Sequence, residues 1–196
     1  MSETTPELKG IATMADKDRE KWDAKYSTSL GCYEPSVLLK KFVHLAPRGQ
    51  ALDIACGNGR NSLFLAQQGF MVDAVDISTV ATRELAKRAP NVHVICQDID
   101  RWRLPSKRYE LIVNIRFLDR RLFPMILEGL RPNGVLIFQS FIDETRETYC
   151  LKPNELLQAF QSLHIVYYEE KKADVSEKFD KSVFLVATNN GATKAK

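Results

Sequence analysis

The sequence lacks the residue patterns that metal sites and most acid–base catalytic centres need. It has only three histidines, and its four cysteines are widely spaced, with neither a CxxC pair nor a Cys/His cluster of metal-ligand spacing. No Ser/His/Asp or Cys/His constellation can be identified either. We therefore predict no metal site. Cys56 and Cys96 end apolar runs and are interpreted as small buried side chains, which fits a reducing cytosol.

Long apolar runs and a strong charge of one sign are also missing. The longest nearly continuous apolar run, residues 134–141, is far below the ~20 residues of a membrane-spanning helix, and no apolar signal region follows the polar N-terminus. A net charge of +3 is too small to indicate nucleic acid or membrane as a partner. We predict a cytoplasmic protein with one domain, 21–188, between a possibly flexible segment, 1–20, and a flexible tail, 189–196.

What the sequence does contain is an alternation of short apolar runs with segments of helical spacing. The predicted strands are 51–56, 70–76, 91–96, 109–115, 134–141, 164–172 and 182–188. The predicted helices are 61–68, 79–88, 123–130 and 153–163. Several strands are apolar without alternation, as expected where helices cover both faces of a parallel sheet.

The last two predicted strands indicate how the sheet ends. The segment between them, 173–181, is too short for a parallel crossover, which predicts an antiparallel hairpin. The fold class we predict is therefore α/β, a doubly wound and mostly parallel seven-stranded sheet with a C-terminal antiparallel hairpin.

The strongest local signal is the segment 52–61, in which a predicted strand runs into a Gly-x-Gly turn and then a helix. Gly57 and Gly59 allow positive φ and close approach of a ligand to the backbone. The helix N-terminus beyond them offers unpaired N–H groups, which could bind a pyrophosphate or a carboxylate. Such a turn on its own is weak evidence, and a purely structural role is the alternative.

Acids at the ends of the next two predicted strands strengthen that signal. Asp76 ends the second strand, where an acid can accept both hydroxyls of a ribose, and Asp98 follows the third strand. The carboxyl ends of parallel strands form the ligand crevice of open α/β sheets. Ser62 stands where the dinucleotide fingerprint has its third glycine-like residue, which disfavours a nicotinamide dehydrogenase. Solvated loop acids, and for Asp53 a cap on backbone amides, are the alternatives.

In order and spacing these motifs resemble those of the class I S-adenosylmethionine-dependent methyltransferases. The turn 56–61, Cys-Gly-Asn-Gly-Arg-Asn, is similar to that of the small tellurite-resistance-type members. The matching segments are Asp53-x-x-x-Gly57-x-Gly59, 74–78, 96–99, 109–114 and 130–136. The resemblance implies a Rossmann-like methyltransferase fold, S-adenosylmethionine as the cofactor, and in-line methyl transfer to a small-molecule acceptor.

The resemblance also implies a role for each matched position. The glycine turn and Asp53 would hold the methionine part of the cofactor, to whose ammonium Asn114 would offer its backbone carbonyl. The second strand would supply Asp76 for the ribose, and Asp98 would accept from the adenine amino group. The implied cofactor-binding residues are Asp53, Ala55, Gly57, Gly59, Asp76, Ile77, Asp98, Ile99 and Asn114.

The acceptor side is defined less well, because the segment 115–121 departs from the signature of many nitrogen- and oxygen-methylating relatives. Arg116 could hold an anionic group, or it could be a solvated cation beside a core Phe117. Trp22 and Tyr26 could belong to a helical lid or form a plain i,i+4 packing pair. The candidate acceptor-side residues are Trp22, Tyr26, Tyr33, Arg60, Arg116 and Phe117.

Two other functions stay open. Basic residues before and after the fourth strand could track the phosphates of RNA, which makes an RNA or protein methyltransferase one alternative. These residues are Arg101, Arg103, Lys107, Arg108, Arg116, Arg120 and Arg121. A non-catalytic S-adenosylmethionine-binding protein is the other, since a fold does not fix a function. Neither a catalytic residue nor the oligomeric state can be predicted.

Overall fold

The strands form a single, mostly parallel sheet. The computed structural model describes residues 13–29, 31, 33–99, 101–143, 145–172, 179 and 181–191. The strands are β1 (Gln50–Ile54), β2 (Met71–Asp76), β3 (Val92–Cys96), β4 (Tyr109–Ile115), β5 (Leu130–Ile142), β6 (His164–Lys172) and β7 (Lys181–Thr188). Their order in the seven-stranded sheet is β3-β2-β1-β4-β5-β7-β6. The first five are parallel, and β7 is antiparallel to both β5 and β6. The predicted fold class is confirmed.

Helices cover both faces of this sheet. They are α1 (Met14–Thr28), α2 (Val37–Phe42), α3 (Arg60–Gln67), α4 (Thr79–Arg88), α5 (Leu122–Gly129) and α6 (Glu155–Ala159), and a short 3₁₀ helix, Val43–Leu45, follows α2. None of the described helices is long and apolar enough to cross a membrane. Helix α1 begins inside the segment 1–20 that the sequence predicts as flexible, whereas residues 1–12 and 192–196 lie outside the described part of the chain.

Each face of the sheet has its own core because side chains alternate along a strand. Leu111 and Val113 of β4 pack with Leu65 of α3 on one side. Ile112 of β4 packs with Ile126 of α5 on the other side. All of these side chains are fully buried, so the central strands hold the carboxyl edge of the sheet in a fixed position.

Helix α6 ends at Ala159 rather than at residue 163, and β1 ends at Ile54 rather than at residue 56. Two predicted starts are also wrong, and both of these errors involve residues with left-handed backbone. Strand β5 starts before the predicted residue 134, because Leu130 already pairs with Tyr109 and a bulge then takes up the intervening residues. Asn133, in that bulge, has a φ of 65°. Helix α6 starts after the predicted residue 153, because Asn154 has a φ of 60° and cannot belong to a right-handed helix.

The prediction that Cys96 is buried is also wrong. Cys96 is exposed because it ends β3, which is an edge strand of the sheet, whereas Cys56 is buried as predicted. Cys32 lies outside the described residues.

Candidate active site

The turn between β1 and α3 has an unusual backbone. Ala55, Gly57 and Gly59 have φ angles of 52°, 56° and 79°. Left-handed backbone costs a residue with a Cβ about 1–2 kcal/mol, and such strain concentrates at functional sites. The strained backbone of Ala55 therefore favours the interpretation that this turn binds a ligand over the interpretation that it is purely structural.

Asp76 ties the end of β2 to this turn. Its Oδ2 accepts a 2.7 Å hydrogen bond from the Gly57 amide, and its Oδ1 accepts one of 2.9 Å from the Ser78 amide. The residue is only 8% exposed, and burial raises the pKa of its carboxyl above the ordinary value despite the backbone donors. Each carboxylate oxygen can accept a second hydrogen bond, so Asp76 can hold the turn and a hydroxylated ligand together.

A second buried acid lies below the turn in β1. Asp53 is 1% exposed, and the Ser62 hydroxyl donates to its Oδ2 over 2.6 Å. Burial raises the pKa of the Asp53 carboxyl to about 7, although the Ser62 hydrogen bond and the nearby Arg60 guanidinium lower it. The charge of Asp53 can therefore change near neutral pH.

The end of β3 completes a row of acids along the carboxyl edge. Asp98 is 8% exposed and follows Gln97, whose amide donates to the Asp76 carbonyl over 2.9 Å. A cavity of about 120 Å³ opens here between Asp98 and the first turn of α1, where Asp16 lines it. Ile99 packs partly buried on the adjacent core. Within the described residues, no group of His, Cys, Asp and Glu is arranged to hold a metal ion.

Helix α1 lies across this row and is fixed by Asp23. Its Oδ1 accepts from the Ser78 hydroxyl (2.6 Å) and the Val80 amide (3.1 Å), and its Oδ2 accepts from the Thr79 hydroxyl (2.6 Å). These donors form the N-cap and first turn of α4. Asp23 thus caps a helix that is not its own and holds α1 against it.

The docked helix brings Tyr26 to the glycine turn. A Cβ built on Gly57 would overlap the Tyr26 hydroxyl. The ring of Trp22 stacks on that of Tyr26, with their centroids 6.0 Å apart. The two aromatic residues therefore form a packing pair, and Tyr26 lies against the turn. A lid role of this helix stays a prediction.

Asn114, near the end of β4, is the last polar residue of this row and pairs in register with Ile54 of β1. Its side chain is 0% exposed. Neither its Nδ2 nor its Oδ1 has a hydrogen-bond partner among the described residues. A buried polar group without a partner costs about 1–3 kcal/mol, so this amide needs an explanation beyond packing.

The acceptor-side candidates are brought together only in part. Arg116 has a φ of 64°, its amide donates to the Gln139 carbonyl over 2.7 Å, and its guanidinium carbon lies 6.0 Å from the centre of the Phe141 ring. Phe117 instead packs partly buried against the core on the α5 side. Tyr33 is 48% exposed beneath the Arg88 guanidinium.

Arg60, the first residue of α3, is another of the acceptor-side candidates. Its guanidinium donates to the Glu34 carbonyl over 3.3 Å, and it acts electrostatically on both Asp53 and Tyr26. Sequence reasoning missed Asp23, Gln139 and Phe141. The only sequence signal for Asp23 was the Ser78-Thr79 helix start that it caps, far along the chain.

Comparisons with known proteins agree with this geometry. Residues 51–134 match the family model described as a methyltransferase domain. TehB from Haemophilus influenzae superposes with a TM-score of 0.69 at 18% identity, over 87% of this chain and 66% of that one. The N-methyltransferase NodS from Bradyrhizobium japonicum WM9, in complex with S-adenosyl-L-homocysteine, superposes with a TM-score of 0.63 at 18% identity, over 94% of this chain and 95% of that one.

The same fold also supports a different reaction. The [4+2]-cyclase SpnF superposes with a TM-score of 0.63 at 15% identity, over 78% of each chain. None of the curated proteins matches this chain.

The matched part of the chain, residues 51–134, is similar to a methyltransferase domain, and it contains the glycine turn and, but for the first residue of β1, strands β1 to β4 of the seven-stranded sheet. The chain has the fold of S-adenosylmethionine-dependent methyltransferases. The residues present fit that cofactor, since the edge offers buried acids at Asp76 and Asp98, a glycine turn and the unpartnered amide of Asn114.

We expect the raised pKa of Asp53 to make the affinity for S-adenosylmethionine depend on pH. Below about 7 the carboxyl is protonated, and above it the carboxylate can attract a cationic ligand. S-adenosylmethionine carries a sulfonium and an ammonium, so we expect its affinity to be roughly tenfold lower at pH 6 than at pH 8. Calorimetric titration at both values measures this. Asp53→Asn is the control, and an equal pH dependence in that variant would exclude Asp53 as the cause.

Proposed function

We propose that the chain transfers the methyl group of S-adenosylmethionine to a small-molecule acceptor held at the carboxyl ends of β4 and β5. The observation that carries the proposal is the division of this edge. The buried acids and the glycine turn occupy the ends of β1 to β3, whereas Arg116 lies beside Gln139 and Phe141 of β5. A guanidinium beside an aromatic ring suits a small acceptor with an anionic group.

Along the cofactor part of the edge we assign the roles that the family resemblance implies. Asp76 would accept from the ribose hydroxyls with Ile77 against the adenine, and Asp98 and Ile99 would bind the adenine edge and face. Asp53, the turn residues Ala55, Gly57 and Gly59, and the Asn114 carbonyl would take the methionine part. The burial of Asp76 and Asp98, each 8% exposed, supports this over solvated loop acids.

Methyl transfer from a sulfonium requires little acid–base catalysis by residues of the chain. When bound, S-adenosylmethionine supplies a methyl group that is already activated on a sulfonium. Residues around an acceptor that is already nucleophilic then need mainly to align it and to exclude water. We assign the exclusion of water to α1, which brings Tyr26 to the turn, with Trp22 stacked on the Tyr26 ring.

Loss of the Asp23 contacts should open this cover. Asp23→Ala removes three hydrogen bonds between α1 and the start of α4. We expect release of S-adenosylhomocysteine to become about tenfold faster, since one or two hydrogen bonds to a charged group account for such a change. Stopped-flow displacement measures the rate, and Asp18→Ala, an exposed acid of the same helix, is the matched control. Equal release rates in both variants would show that α1 is no lid.

The basic residues around β4 give little support to the RNA alternative. Arg108 pairs with the buried Asp73 at 3.2 Å, and Arg121 pairs with Asp119 at 2.7 Å. Arg120 donates to both carboxylate oxygens of Glu155, at 2.5 and 2.9 Å. These three guanidiniums are each engaged by a carboxylate of the chain, which makes them less available to phosphates.

The acceptor assay tests the proposal directly. Purified protein is incubated with S-adenosylmethionine labelled in its methyl group and with panels of small thiols, amines, phenols and carboxylates, and in parallel with RNA and with protein. We expect label only in small molecules, and less of it with Arg116→Ala. Label in RNA or protein alone, or binding without turnover in every panel, would overturn the proposal in favour of the corresponding alternative.

Location and domain limits stay predictions. The described cysteines Cys56, Cys96 and Cys150 are free thiols, which is typical of the reducing cytoplasm. The proposed domain, 21–188, holds all seven strands, and α1 extends beyond it to Met14.

A further inference from the structure

The side-chain amide of Gln139, on β5, is held in one orientation by a residue far away in the sequence. The Ser36 hydroxyl donates to the Gln139 Oε1 over 3.2 Å. Ser36 is only 7% exposed, and its own backbone amide donates to the Asn61 Oδ1 over 3.0 Å. Because the oxygen of the Gln139 amide faces Ser36, the Nε2 group with its two donor hydrogens lies on the other side of the amide.

Arg116 lies next to Gln139, just beyond the end of the neighbouring strand β4. Its backbone amide donates to the Gln139 carbonyl over 2.7 Å, and its φ of 64° is a strained conformation of the kind that concentrates at functional sites. The guanidinium carbon lies 6.0 Å from the centre of the Phe141 ring. Side chains alternate along a strand, so Gln139 and Phe141 project from the same face of β5. The Gln139 amide and the Arg116 guanidinium therefore lie beside one face of this strand.

An aromatic surface continues from these two polar groups. The Phe141 ring packs against that of Phe179, with their centroids 4.9 Å apart. Both aromatic side chains are only partly buried. Sites for small ligands combine apolar and aromatic side chains with a few polar groups that fix the orientation of the ligand. This end of β5 has that composition, and it suits a ligand with an apolar body and one polar end.

The charge of the two donor groups indicates which polar end they fit. A guanidinium binds carboxylates and phosphates through its planar N–H groups. A phosphate monoester carries a charge of about −1.5 to −2, whereas one guanidinium beside a neutral amide matches the single charge of a carboxylate.

We propose that Gln139 determines the specificity for the methyl acceptor. Its Nε2 and the Arg116 guanidinium bind a carboxylate of the acceptor, and the Phe141 ring contacts the apolar body. Ser36 is a positioning residue, which acts through the orientation of the Gln139 amide. The inference rests on the proposed methyl transfer to a small acceptor, and it names the class of that acceptor as small carboxylic acids with an apolar body.

Two probes that differ in one group test the role of Gln139. Phenylacetate carries the carboxylate, and phenylacetamide is its neutral analogue. Both are titrated, with ligand-observed NMR, into protein saturated with S-adenosylhomocysteine. We expect the wild type to bind phenylacetate at least about tenfold more tightly than phenylacetamide. Gln139→Glu should remove this preference, because it keeps an oxygen for the Ser36 hydroxyl but places a second, anionic oxygen where the donor was.

Controls separate this role from a general effect of charge or folding. Gln158→Glu makes the same change at an exposed position of α6 and should keep the preference for the acid. Ser36→Ala leaves the Gln139 amide free to turn and should lower the preference. A purely structural effect would weaken both probes equally and leave their ratio unchanged. Gln139→Met, which removes the donor without adding charge, replaces Gln139→Glu if that variant does not fold.

The other outcomes overturn the inference in distinguishable ways. Equal binding of the two probes by the wild type, no binding of either, or a preference that survives Gln139→Glu excludes the role of Gln139 and leaves the cofactor site in place. Tighter binding of phenyl phosphate than of phenylacetate excludes a carboxylate as the recognised group. If the folded wild type does not bind S-adenosylhomocysteine, the proposed function is wrong, and this inference is wrong with it.

Discussion

Replacing Asp76 with alanine is expected to remove measurable binding of S-adenosylmethionine while the chain stays folded. The carboxylate accepts hydrogen bonds from the Gly57 and Ser78 amides at 2.7 and 2.9 Å, so it shapes the turn, and we propose that it also binds the ribose. Hydrogen bonds to a charged group contribute about 1.5–3 kcal/mol each. Loss of two such hydrogen bonds lowers the affinity for S-adenosylmethionine by at least about 100-fold.

Calorimetric titration measures this loss, and circular dichroism checks the fold. Glu84→Ala, which removes an acid of α4 whose ion-pair partner is Lys87, is the matched control and should bind like the wild type. Asp76→Asn keeps one acceptor oxygen and should fall between the two. Undiminished affinity in Asp76→Ala would place the ribose elsewhere and remove the main support for the site.

The second large effect is expected from Gly57→Ala. The φ of 56° is unfavourable for alanine, and the added Cβ would overlap the Tyr26 hydroxyl. Both the turn and the docked helix α1 must then shift. We expect a loss of unfolding free energy greater than backbone strain alone explains, and at least about 100-fold weaker binding of S-adenosylmethionine, because the ligand depends on the geometry of this backbone.

Gly69 provides the matched control for backbone strain. Its φ is 86°, but a Cβ there would meet nothing within 4 Å. Gly69→Ala should therefore show strain alone, about 1–2 kcal/mol by chemical denaturation, with unchanged ligand affinity. Adding Tyr26→Phe to Gly57→Ala should recover part of the stability. Equal destabilisation by the two alanines would mean that Tyr26 does not lie against the turn.

Much of the sheet could be predicted because its strands are buried on both faces. Such strands appear in the sequence as short unbroken apolar runs, as in β4 and β5. Asp76 ends β2 and Asp98 follows β3, so both acids lie on the same edge of the sheet. The antiparallel pair of β6 and β7 followed from the short connection between them. The position of the buried acids on this edge was predictable for the same reason, whereas their roles in cofactor binding come from the family resemblance and stay predictions.

The errors arose where a local feature depends on the backbone or on distant neighbours. Asn133 and Asn154 adopt left-handed conformations that shift the starts of β5 and α6. Asparagine tolerates this conformation, but its presence in the sequence does not show which asparagine will adopt it. The exposure of Cys96 follows from the place of β3 at the sheet edge, which the sequence alone does not reveal. Asp23 acts on residues more than 50 positions away, such as Thr79.

The central claim is that the turn after β1 and the acids beside it bind S-adenosylmethionine. Its most direct test is calorimetric titration of the wild-type chain at pH 8 with S-adenosylmethionine, S-adenosylhomocysteine and NAD. We expect a single site with affinity in the micromolar range for the first two ligands and no heat with NAD. A folded sample that binds neither methionine-derived ligand, or that binds NAD instead, would contradict the claim.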